Sequence, residues 1–329
     1  MMAENRERPP AGSTKNREAN AARWFWVLGA WFWLLSGCAL PGTVPGPSPT
    51  PTPPLAPYSA AIATAAAVGD AKAQAAAYYE RGNVQLDAGA NDAAIADYGK
   101  AIMLDPGDAR AFNNRALAYV ALGQLDQALA DYAAAIRLDP GYLRAYENRL
   151  RLLEQRGDLQ AMAADFRQLA ALDPKNAARY QYRAGSALYG LHDLPGARQA
   201  YDAALAADPQ QVDAWYARGL LSFAEGQRAA AIADFDTALR LSPRAANAYY
   251  ARGLAWSASG DAAHALADFA QAVALKPDYP EALLARAAAY HAAHQDALAR
   301  VDLAALEKLT LDDTLKAAYD ILREQIGAA

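Results

Sequence analysis

Six prolines, Pro106, Pro140, Pro174, Pro209, Pro243 and Pro277, stand 34, 34, 35, 34 and 34 residues apart. This period constrains the fold more than any other property of the chain. A unit of about 34 residues cannot bury its apolar face alone, so copies stack and share one continuous core. Between prolines the pattern reads helix, turn, helix. Trp215, Gly219 and Ser222 lie at i, i+4 and i+7, one face of a first helix. Gly226 ends that helix, where a residue without Cβ takes positive φ at no steric cost. Ala231, Phe235 and Ala238 share one face of a second helix. Pro243 stops it, lacking an N–H and pushing Ser242 out of the α region. The small residues Gly219, Ala231 and Ala238 are expected to let the two backbones approach closely.

The punctuation holds unit by unit. The first-helix aromatic slot carries Tyr78, Phe112, Tyr146, Trp215 and Tyr249. The small slot four residues on carries Gly82, Ala116, Gly185, Gly219, Gly253 and Ala287. Turn glycines fall at Gly89, Gly123, Gly157, Gly226 and Gly260, and second-helix aromatics at Tyr98, Tyr132, Phe166, Tyr201, Phe235 and Phe269. In these slots the chain resembles the tetratricopeptide repeat family, whose period is also 34. The resemblance covers seven units, from about residue 75 to 310. It implies an all-α chain: an α-solenoid wound as a right-handed superhelix, with a C-terminal capping helix. Unit three has Leu150 and Met162 in small slots, unit four has Gln181 and His192, and unit seven has His294 for the turn glycine. Looser packing or a bend is expected there.

The N-terminal region has a different character. Basic residues precede an unbroken apolar run from Trp24 to Leu35, too short for a comfortable membrane span and of signal-peptide length. The run ends in Leu35-Ser36-Gly37-Cys38, which looks like a bacterial lipoprotein cleavage box, and Cys38 is the only cysteine. Residues 1–38 therefore read as a lipoprotein-type signal peptide, with an uncleaved N-terminal anchor as the alternative, and Cys38 as the lipidation site. Two acyl chains would give a stable anchor. Residues 39–58 form a Pro-rich spacer, reaching about 60 Å when extended. Residues 59–311 are the repeats, with an Ala-rich helix ahead of the first. Residues 312–329 read as the capping helix that covers the open end of the stack. Basic residues crowd before the apolar run, which puts the repeats outside the cytoplasm. The chain carries net charge −5, so nucleic acid is not an expected partner.

One regularity is more specific than the family pattern. Arg81, Arg115, Arg149, Arg218, Arg252 and Arg286 are each followed sixteen residues later by Asp97, Asp131, Asp165, Asp234, Asp268 and Asp302. Unit four lacks both, with Ala184 and Ala200 instead. Joint gain and loss predicts a ladder of structural ion pairs across the helix hairpins. Chemistry is sparse. His291 and His294, at i and i+3 with Asp296 nearby, have no evident third ligand, so a metal site or a hydrolase there is a remote alternative. No phosphate-binding glycine loop or nucleophile motif occurs. Neither an enzyme nor a cofactor is expected.

The resemblance implies a concave groove lined by the first helices, which binds proteins or extended peptides. Carried over by slot, units one to four present Asn83, Arg110, Asn113, Asn114, Arg144, Asn148, Arg151, Arg179 and Arg183. Units four to six present Tyr182, Tyr189, Tyr216, Leu220, Phe223, Tyr250 and Leu254. The expected ligand is acidic at one end and apolar at the other. The carboxylate-clamp subgroup matches at Asn83, Asn114 and Arg144, but has Tyr79 and Asn148 where cations are usual. The function implied is a membrane-tethered scaffold outside the cytoplasm. The alternative is an assembly lipoprotein for pilus, secretion or cell-wall machinery.

Overall fold

The computed structural model describes residues 54–328. Cys38, the apolar run before it and the spacer as far as residue 53 lie outside the described residues. Within them there are sixteen helices and no strand. None of these helices is long and apolar enough to cross a membrane. They fall into two compact units, 54–208 and 209–328.

The first unit opens with α1 (Ala56–Ala67), which packs on the first of four helix hairpins. These are α2 (Ala71–Asp87) with α3 (Asn91–Leu104), α4 (Ala109–Ala121) with α5 (Leu125–Leu138), α6 (Leu143–Arg156) with α7 (Leu159–Leu172), and α8 (Ala177–Gly190) with α9 (Leu194–Ala207). Helix α1 begins three residues ahead of the expected Ser59, because Pro57 sits in the first turn, where no N–H is needed. The second unit holds three hairpins: α10 (Val212–Ala224) with α11 (Arg228–Leu241), α12 (Ala246–Ala258) with α13 (Ala262–Leu275), and α14 (Pro280–Ala292) with α15 (Asp296–Leu306). It closes with α16 (Asp313–Ala328), which rests on α14 and α15 through Leu315, Tyr319, Leu322 and Ile326, all buried. Each unit is an α-solenoid of short hairpins.

Local chemistry sets the boundaries. Each hairpin turn needs one left-handed residue. Glycine supplies it at five turns, while His192 and His294 take φ of 60° and 57° in the other two. Aspartates start several helices: Asp70, Asp108, Asp158, Asp193 and Asp261 each accept a hydrogen bond from a backbone N–H of the first turn. Second helices end in an extended residue before proline, as at Asp105, Asp139, Asp173, Asp208 and Ser242.

The small slot also seats a ring. A Cβ added at Gly219 would fall 2.7 Å from Cε1 of Phe235, a ring atom rather than backbone. Gly82 faces Tyr98, Gly185 faces Tyr201 and Gly253 faces Phe269 in the same way. The glycine makes room for the large aromatic of its own second helix. Those rings are the fully buried centres of their hairpins.

Candidate functional site

All six expected Arg–Asp pairs form. Each arginine donates Nε to Oδ2 of its aspartate at 2.6 to 3.0 Å, and its NH2 nitrogen to Oδ1. The same guanidinium lies against an aromatic of its first helix: Tyr78, Phe112, Tyr146, Trp215, Tyr249 or Tyr290. The aspartates are buried and the arginines about one-fifth exposed, so the ladder is structural. Hydrogen bonding to Asp97, Asp131 and Asp302 holds Arg81, Arg115 and Arg286 above their ordinary pKa. At Asp165 burial outweighs the pair and pushes the carboxyl up.

In the first unit the amides of the first helices bond to one another. Asn148 Nδ2 donates to Asn113 Oδ1 at 3.1 Å, Asn113 Nδ2 to Asn114 Oδ1 at 2.9 Å, and Asn114 Nδ2 to Asn83 Oδ1 at 2.9 Å. Asn114 Nδ2 also reaches Tyr79 Oη at 3.2 Å, Tyr98 Oη donates to Asn83 Oδ1 at 2.8 Å, and Asn83 Nδ2 donates to Glu80 at 3.3 Å. This relay corrects one expectation. Asn113 is 0% exposed and cannot line a surface. Asn83 and Asn114 bond to each other, and both N–H bonds of Asn114 point to partners within the chain.

The five arginines of this face divide. Arg110 forms a bidentate pair with Asp108, whose backbone cap sets the geometry, and lies over the Tyr79 ring. Arg183 pairs with Glu154 and lies over Phe166. Arg144, Arg151 and Arg179 are exposed and form no ion pair among the described residues. Tyr182 and Tyr189 are half-buried, Tyr182 tilted against Tyr201. In the second unit Tyr216, Leu220 and Phe223 are half-buried around Phe235, and Leu254 packs at the edge of the next core cluster. Tyr250 is only 8% exposed, its ring held between Phe269 and Tyr279, so it belongs to the core rather than to a binding face.

His291 Nδ1 lies 2.6 Å from Asp296 Oδ1, while His294 occupies the exposed left-handed turn position. Among the described residues no cluster of three or more His, Cys, Asp or Glu has metal-binding geometry. Sequence reasoning missed Glu80, Asp108 and Glu154. The capping aspartate two positions before Arg110 was a readable signal, but Glu154 comes near Arg183 only through packing between neighbouring hairpins.

Profiles described as TPR repeat match residues 82–123 and 219–260. Others described as Tetratricopeptide repeat match 109–142, 143–176, 182–227 and 246–279. No curated protein matches the chain. Among solved structures, the C-terminal part of a TPR repeat-containing protein from Cytophaga hutchinsonii is 16% identical, covers 73% of this chain and 98% of its own, with TM-score 0.56. PilF of Pseudomonas aeruginosa is 18% identical, covers 67% of this chain and 98% of its own, with TM-score 0.50. YrrB, a TPR protein described as having an unusual peptide-binding site, is 23% identical over 57% of this chain and 97% of its own, with TM-score 0.48.

Proposed function

The chain belongs to the tetratricopeptide repeat family, and from that premise we propose that it is a non-enzymatic scaffold whose first helices bind protein partners outside the cytoplasm. Repeats of this family bind proteins or peptides. The observation that carries the reading is the basic face of the first unit. Arg144, Arg151 and Arg179 stand exposed and without a carboxylate in a protein of net charge −5. Guanidinium groups so placed grip acidic side chains in bidentate fashion. In the second unit Tyr216, Leu220 and Phe223 offer an apolar surface for large side chains. The tether is Cys38, lipidated at the end of the leader, with the Pro-rich stretch as spacer.

Salt separates the two faces. Arg144→Glu with Arg179→Glu is expected to weaken capture of partners from crosslinked membranes most at low ionic strength, because exposed charges are screened within about 10 Å at 0.1 M. Tyr216→Ala with Phe223→Ala weakens capture about equally at all salt concentrations. Unchanged capture by both double variants, with helicity intact by circular dichroism, would place the binding surface elsewhere. Cys38→Ser abolishes incorporation of labelled palmitate. An unlabelled wild type would replace the lipid anchor with a plain membrane span.

A further inference from the structure

Unit three departs from its neighbours at the slot that sets hairpin width. Where that slot holds glycine, an added Cβ would come within 2.6 to 2.8 Å of the facing ring. The second hairpin closes on Ala116 and Ala128, both 0% exposed. The third carries Leu150 and Met162 in the same two slots, both buried, so side-chain bulk stands between α6 and α7. The backbones of these two helices accordingly approach less closely than those of any other hairpin among the described residues. Helix α6 also keeps farther from α5 than α4 does from α3 or α8 from α7. Two adjoining clefts, of about 320 and 560 Å³, open between α5 and α7, with α6 as their floor.

The first unit divides at this point. On one side α8 grips α7: Phe166 stacks on Tyr180, ring centres 6.5 Å apart, and the Arg183 guanidinium lies 4.8 Å from the centre of the Phe166 ring. On the other side α4 and α5 close on Tyr132, which is 1% exposed. Between them α6 is tied by the tips of side chains to four helices. Asn148 donates to Asn113 of α4, Arg156 to Asp126 of α5 and Arg149 to Asp165 of α7, while Glu154 accepts from Arg183 of α8. Such ties tolerate a change of angle, whereas a glycine set against a ring fixes the approach of two backbones. The Arg156–Asp126 pair is also exposed, so it adds little. Two opposed effects act on the gap. Closing it takes the lining Leu129, Ile136 and Leu153 out of water, while the bulk of Leu150 and Met162 props it open.

We infer that the third hairpin is a joint within the first unit: α1 to α5 and α7 to α9 turn against each other about α6, closing and opening the gap between α5 and α7. Both positions are populated, because the terms that favour each nearly balance. Arg144 and Arg151 stand on α6 and Arg179 on α8, so the motion changes the spacing of the exposed arginines. The joint thereby adjusts the first-helix face to partners of different width. This use rests on that face being the binding surface, whereas the motion itself does not.

The test uses the full chain in detergent with Cys38→Ser, so that nitroxide labels attach only to introduced cysteines. Ala130→Cys with Ala164→Cys spans the gap between α5 and α7. Ala96→Cys with Ala130→Cys, in the same exposed slot one repeat earlier, spans α3 and α5. By pulsed dipolar spectroscopy the first pair is expected to give a distance distribution about twofold wider than the second. Leu150→Ala with Met162→Ala restores the small residues of unit two and narrows the first distribution to the width of the second. Polyglutamate, a probe for the basic face, shifts the first distribution and leaves the second unchanged. Failure of the polyglutamate arm alone counts against the basic face as the binding surface and overturns the use assigned to the joint. Equal widths for the two labelled pairs would overturn the joint itself. So would a first distribution unchanged in Leu150→Ala with Met162→Ala whose helicity is intact by circular dichroism.

Discussion

Arg115 donates two hydrogen bonds to Asp131 at 2.7 and 2.8 Å, and its guanidinium lies 5.5 Å from the centre of the Phe112 ring. The aspartate side chain is 9% exposed, so it has given up most of its water. Such a pair adds little net stability relative to an apolar pair, because desolvation offsets the attraction, yet removing one partner strands the other. Arg115→Ala and Asp131→Ala are each expected to destabilise by about 1–3 kcal/mol, with the double variant less damaged than their sum by about 1–2 kcal/mol. Chemical denaturation of the four proteins measures this, and a coupling energy of zero would mean that the two side chains act independently. Unit four shows the alternative solution, with Ala184 and Ala200 both buried where the pair would stand. This ladder was legible in the chain because both partners disappear together. The amide relay was not legible, because Asn83, Asn114 and Asn148 meet only after three hairpins stack.

At the scale of the hairpin, the width between two helices is set by the contact between a small residue and a ring. Gly185 is the tightest case. A Cβ there would fall 2.6 Å from two atoms of Tyr201, and that ring is 1% exposed with no room to swing aside. Gly185→Ala should therefore cost about 1–3 kcal/mol through overpacking, even though alanine is the better helix former. A lowered urea midpoint at unchanged slope is the expected reading by circular dichroism. A midpoint equal to or above that of wild type would show that the hairpin adjusts freely. Alanine fills the equivalent slot at Ala116, beside Tyr132. Unit three extends that variation to Leu150.

At the scale of the whole molecule, each hairpin leans chiefly on its neighbours, so an uncovered end would expose core. Helix α16 covers the last hairpin, its buried Leu315, Tyr319, Leu322 and Ile326 joining one cluster with Leu283, Leu303 and Leu306. Removing residues 312–329 uncovers that cluster. The truncated chain should melt at lower temperature and bind the apolar dye ANS, whereas removing only the last two residues should leave melting unchanged. Identical melting of the longer truncation would mean that α16 is not a cap.

Period and slot chemistry were enough for the architecture. Proline, turn glycine and aromatic recur in phase, and a chain of repeated amphipathic helix pairs has no other way to bury its apolar faces. The same reading carried the ion pairs, because they recur with the period. What only the packed helices decided is which exposed-looking slots stay exposed. Asn113 and Tyr250 occupy first-helix positions read as groove-lining, yet amides of its own helix and the next hairpin bury the one, and rings of its own hairpin and the next bury the other. A one-dimensional pattern fixes the face on which a side chain stands. It does not fix how closely the two helices of a hairpin approach, which depends on the bulk of residues such as Leu150 and Met162 between them.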